Sequence, residues 1–218
     1  MKPGSGTARV ALALLLLLFG APAFAQGLSR EQALQSLSRE DPQARREAAS
    51  RLGEIGTMDD AATLVRTLHD PDADTRAEAE QALWHIWARS GDAQVDRLYE
   101  AGVEQMSAGE LERSIATFTR IIELKPDFAE GWNKRATAYF LAGDLRRSLA
   151  DCAEVMKRNP YHFGALAGYA QIYAQLEQYD RALEYARRAL AVNPNLDGVR
   201  RMIDALEHVL EERRKRTI

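Results

Sequence analysis

The groups in this 218-residue chain that could do chemistry are four histidines, one cysteine and 32 acidic residues. His69, His85, His162 and His208 fall in four separate segments, without the close spacing that gathers ligands around one metal ion. Cys152 has no second cysteine to pair with; its register within an apolar helical face reads as a small buried hydrophobe. The carboxylates stand beside Arg and Lys at helical spacings, where i,i+4 pairing on a solvated face accounts for them. No G-x-S-x-G, H-E-x-x-H, C-x-x-C or phosphate-cradling glycine loop is present. The expectation is therefore no enzyme, no cofactor and no metal, with recognition of another protein in place of catalysis.

The elements that would position such a surface begin after residue 25. Lys2 and Arg9 precede an apolar run from Val10 to Phe19, then Pro22 and Ala23-Phe24-Ala25. A basic start, a short apolar middle and an A-x-A end form a secretory signal, with Gln26 as the expected new N-terminus. The run is shorter than the roughly 20 residues a retained anchor needs, and no cysteine follows it to take a lipid. A periplasmic or secreted protein with no membrane span in its mature part is expected. Trimming removes two of 29 basic residues and none of the 32 acidic ones. The resulting net charge of −5 offers no electrostatic footprint for nucleic acid. With one cysteine, packing alone must hold the fold together.

Pro126, Pro160 and Pro194 recur every 34 residues, each closing an apolar helical run (ELKP, KRNP, AVNP). In that register Gly102, Ala136 and Ala170 coincide, as do Ser114, Ser148 and Ala182, and Phe118, Cys152 and Ala186. Small residues recur where two helices must approach, large apolar ones where neighbouring hairpins meet. The pattern resembles the tetratricopeptide repeat, over residues 95–194 in three copies. Leu196, Val199, Ile203, Leu206 and Leu210 then make one apolar face, as a capping helix needs, over residues 195–218. The closing Arg213-Arg214-Lys215-Arg216 reads as cations complementing a helix C-terminus.

Residues 26–92 carry a looser repeat. Asp41-Pro42 and Asp70-Pro71 each punctuate helical stretches, with proline expected at the helix start. Arg45-x-Glu47-Ala48 aligns with Arg76-x-Glu78-Ala79. Ser29 with Gln32 reads as a capping box, and Gly53 and Gly56 bracket a turn. This resembles a pair of HEAT-type hairpins. Two copies are fewer than such stacks need, so they should pack on the following repeats through Trp84 and Trp87. The whole is expected to be an all-α, right-handed superhelical solenoid. The segments LWHIWARSGDAQVD (83–96), AEGWNKRATAYFLAGD (129–144) and NPYHFGALAG (159–168) are similar to a group of exported alphaproteobacterial tetratricopeptide proteins. That resemblance implies a partner-binding role in the cell envelope. HEAT-like repeats also occur in chromophore lyases, so an enzyme, or an accessory subunit of an envelope enzyme complex, is the second reading.

In such superhelices the first helix of each hairpin lines the concave groove. Its positions here are Tyr99, Val103 and Met106, then Asn133, Thr137 and Phe140, then Ala167, Gln171 and Ala174. Gly164 and Gly168 leave side chains missing on one face of the third hairpin. A hollow is expected beside Asn133, Thr137 and Phe140, rimmed by Lys134 and His162, to take an amphipathic helix or an extended segment of a partner. Close helix packing is the other reading of the two glycines. Tetratricopeptide modules that grip a terminal carboxylate use a Lys, Asn and Arg clamp. This chain offers at most Asn133 and Lys134 and has Gly168 where a cation would stand, so a free C-terminus is not the expected ligand.

Overall fold

A computed structural model describes residues 27–217; the export leader read over residues 1–25 lies outside them. The described residues form eleven α-helices, one 3-10 turn and no strand. α1 (Arg30–Ser36) opens on the expected capping box, Ser29 and Gln32 each satisfying the other's backbone N–H. α2 (Pro42–Ile55) is capped by Asp41 with proline in its first turn. Gly53 lies inside α2 rather than in the turn after it. There it lets α4 approach: an added Cβ would sit 3.1 Å from the Cα of Ala82. A 3-10 turn (Met58–Asp60) leads into α3 (Ala61–Thr67). α4 (Ala73–Ala88) begins two residues beyond Pro71, because Asp72 takes the N-cap by accepting from Thr75 N at 2.8 Å.

Three hairpins follow: α5 (Ala93–Ser107) with α6 (Leu111–Leu124), α7 (Ala129–Leu141) with α8 (Leu145–Arg158), and α9 (Phe163–Gln175) with α10 (Tyr179–Val192). The recurring small residues hold each pair together. Ser114 Oγ donates to the Gly102 carbonyl at 3.0 Å, and Ser148 Oγ to the Ala136 carbonyl at 2.7 Å. At Gly102 an added Cβ would come within 2.8 Å of the Phe118 ring. The turn inside each hairpin needs a left-handed residue, supplied by Gly109, Gly143 and, in the same register, Glu177 at φ 57°. α11 (Asp197–Thr217) closes the stack on α10, burying Val199 and Leu206.

The N-terminal hairpins do seat through Trp84 and Trp87, and the surface they seat on is the row of loops carrying Pro160 and Pro194. Trp84 meets the Phe163 ring edge-on at 5.0 Å and Trp87 stacks on His162 at 4.7 Å. Phe163 belongs to the same buried cluster as Leu52, Leu64 and Leu83, with Val192 and Leu196 packed against it. A polar ladder runs alongside. Arg45 grips Asp70 with two bonds of 2.7 and 2.8 Å and donates to the carbonyls of Arg39 and Glu40. Arg76, its counterpart one repeat on, donates to the carbonyls of Asp70 and Pro71 and reaches Asn195 Oδ1 at 2.7 Å. The loop Asn193-Pro194-Asn195 thus stands where a third Asp-Pro loop of the first repeat type would be.

Candidate functional site

The groove wall between the second and third hairpins contains a small hollow of about 60 Å³. Asn133, Thr137 and Phe140 of α7 line it with Gly164, Gly168 and Gln171 of α9, over a floor that includes Ser148 and Cys152. Thr137 and Gln171 are exposed at its edge. A water's share of the liquid is about 30 Å³, so the hollow accepts the tip of one side chain, and anything longer must lie along the open surface beside it. Cys152 is buried, and that burial, followed by the neighbouring Asp151 carboxylate, pushes its thiol up to about 12. It is an unreactive wall.

The two glycines have different jobs. A Cβ on Gly164 would lie 2.7 Å from the far edge of the Trp84 ring, so this glycine admits the N-terminal unit. A Cβ on Gly168 would meet only Cys152 Sγ, at 3.7 Å, an ordinary contact. Gly168 is therefore absent-side-chain space on the hollow itself. Three other expected members lie elsewhere. Ala167 packs with the Leu166, Ala170 and Val199 cluster. Lys134 turns toward the first hairpin, its Nζ 5.9 Å above the Tyr99 ring. His162 is not a rim residue: it is fully buried under Trp87, drawn in because it caps α9.

Beneath the groove lies a buried histidine–carboxylate pair that sequence reasoning missed. Glu130, 1 % exposed, accepts from His162 at 2.6 Å and from Asn133 Nδ2 at 3.0 Å, with the Tyr99 hydroxyl at 3.5 Å. His162 Nδ1 accepts the Ala165 N–H at 3.0 Å, so the ring proton is on Nε2 and is donated to Glu130. Burial works against the Glu130 carboxylate, but the bond from His162 and the nearby Lys134 and Asn133 hold it below the usual range. Burial, helped by the Glu130 charge, also pushes the Tyr99 phenol well up. Both imidazole nitrogens are used, leaving no lone pair for a metal and no base facing solvent. The Asn133 amide nitrogen likewise donates to this internal carboxylate. The partners are 32 residues apart, each at a helix start where a polar residue is ordinary, so no local spacing marked them.

Among the described residues no group of three His, Cys, Asp or Glu side chains is arranged to hold a metal ion, and no helix is long and apolar enough to cross a membrane.

These features define a class: a helical-hairpin solenoid with a groove of neutral polar and aromatic side chains. Residues 6–84 match the family model of HEAT repeats and residues 139–202 that of the tetratricopeptide repeat. A TPR repeat-containing protein of Rhizobium etli is 31 % identical over 137 residues, 63 % of this chain and 66 % of that relative's own length. Among solved structures, the Sgt2 TPR domain from Aspergillus fumigatus superposes with a TM-score of 0.54 at 19 % identity, over 57 % of this chain and 83 % of that one. The first TPR domain of Spaghetti (RPAP3), bound to the HSP90 peptide SRMEEVD, gives 0.53 at 21 % identity, over 55 % and 96 %. The chain thus carries tetratricopeptide repeats joined to HEAT-type repeats, in the all-helical fold of the solved tetratricopeptide domains.

Proposed function

We propose that this chain is a binding adaptor of the cell envelope that holds an extended or amphipathic segment of a partner protein across α7 and α9. The observation that carries the reading is Gly168: a helical glycine costs about 1 kcal/mol against alanine, and here no neighbour requires it. Its cost is accounted for if the space is filled by a partner's side chain while Thr137 and Gln171 bond the partner's backbone. Support comes from the solved relative that holds a peptide and from a histidine–carboxylate pair with no free valence for catalysis. Location in the envelope rests on the leader-like residues 1–25, and a mature mass beginning at Gln26 is the expected result for protein taken from its native cells. The groove reading is tested by affinity capture from those cells with Thr137→Arg combined with Gly168→Val. The variant should lose the partner that the parent retains, with an unchanged melting temperature. Equal recovery of that partner by the folded variant would refute the groove as its site.

A further inference from the structure

His162 stands at the corner where the two repeat types meet, and its ring is fully buried. Trp87 of α4 stacks on one face at 4.7 Å, and Trp84 approaches edge-on at 5.6 Å. Gly164 leaves room for both: a Cβ there would lie 2.7 Å from the Trp84 ring and 3.2 Å from the imidazole. The ring therefore cannot turn without moving α4. Its Nε2 proton goes to Glu130 at 2.6 Å, and Nδ1 accepts the Ala165 N–H at 3.0 Å, closing the first turn of α9. One side chain thus caps a tetratricopeptide helix and carries the tryptophans of the N-terminal unit.

A second proton on this ring has one place to go, Nδ1, and there it would set a donor against the Ala165 N–H. It would also put a cation at the positive end of α9. Two neighbours attract that cation, the Glu130 carboxylate and the Trp87 face, but neither supplies the acceptor that the new N–H needs. The other groups at the corner supply none either. Lys134 of α7 is a second cation acting on Glu130, and the Tyr99 hydroxyl of α5 lies beyond that carboxylate. α4 presents its two tryptophan rings, and Arg158 at the end of α8 is bonded to the carbonyls of Pro126 and Glu154. We infer that His162 is a proton-released latch: protonation of its ring opens the α9 cap and frees the seat of the N-terminal unit, while the tetratricopeptide hairpins stay folded. His69 and His85 in that unit and His208 on α11 are exposed, so each takes a proton without displacing α4. The latch works whether or not the groove holds a partner.

An imidazole free in water is half protonated at about pH 6.5, and Glu130, held below its ordinary 4.5, stays charged down to about pH 5. The test follows the full chain from about pH 7 to about pH 5 by amide exchange, with the histidine ring nitrogens read by NMR. Opening of α1–α4 should rise nearly tenfold from about pH 6 to about pH 5, the slope of one proton taken up on opening, while α5–α8 keep their protection. His162→Asn keeps a cap acceptor for α9 but does not titrate, so its opening should not follow pH. The parent alone also decides, should the variant fail to seat: a ring protonated on both nitrogens with α1–α4 still protected would overturn the latch. So would no rise in opening, equal slopes in parent and variant, or loss of protection across the whole chain at once.

Discussion

Gly164 and Gly168 stand four apart on one face of α9, yet a methyl group added to each has opposite consequences. On Gly164 it collides with a tryptophan ring that is itself wedged against His162 and Phe163. Gly164→Ala should cost about 1–3 kcal/mol, as overpacking does. Gly168→Ala should be neutral or gain up to about 1 kcal/mol from helix propensity. Urea melts of the two variants decide it, and equal effects would remove the distinction. The pair was legible as a gap on one helix face. That Trp84 arrives from another repeat type 80 residues earlier was not, because nothing local encodes it. Glu130 was hidden for the same reason, and its stability effect has a definite sign. A carboxylate held below its ordinary value of 4.5 contributes stability above that pH and loses it as pH falls through the folded value. Glu130→Gln should therefore be less stable than the parent near neutrality, with the gap closing over the acidic range below the carboxylate's ordinary value of 4.5. A gap constant over that range would mean the carboxylate's charge contributes nothing.

At the scale of elements, the hairpins were readable wherever a residue type has one physical use. The 34-residue proline period marked each second helix's end, and serines in register marked the helix crossings. Pro71 misled by two residues because Asp72 is the better cap. Glu177 shows the converse: it fills a left-handed turn position that glycine fills in the two preceding hairpins. Glu177→Gly should stabilise by about 1 kcal/mol, less the small worth of its exposed pair with Arg213; a loss on chemical denaturation would contradict the strain. The seat of α4 was legible only in part. Its tryptophans pointed to an interface, while Arg76 bonding to Asn195 joins positions 119 residues apart. Arg76→Ala should lower stability by about 1–2 kcal/mol and speed amide exchange through α1–α4. Arg120→Ala, at an exposed pair with Glu123, should stay within about 0.5 kcal/mol. Unchanged exchange in α1–α4 would show that the apolar seat alone fixes the unit.

Across the whole molecule, the two repeat types form one body because neither closes its own surface. The N-terminal hairpins use the Asn193-Pro194-Asn195 loop as their missing third repeat, and α11 covers α10 at the other end. That leaves the α7–α9 wall as an open stretch with exposed polar side chains beside a hollow, and a bound segment there is the account's central claim. The most direct measurement places a photo-crosslinking amino acid at Thr137 or Gln171 in the full chain within its native cells. Ala150, exposed on the outer helix α8, serves as the reference position, and the joined peptides are identified by mass spectrometry. The account predicts that both groove positions join one contiguous segment of the same protein and that Ala150 does not. Joining of that partner at Ala150, with neither groove position reacting, would contradict it.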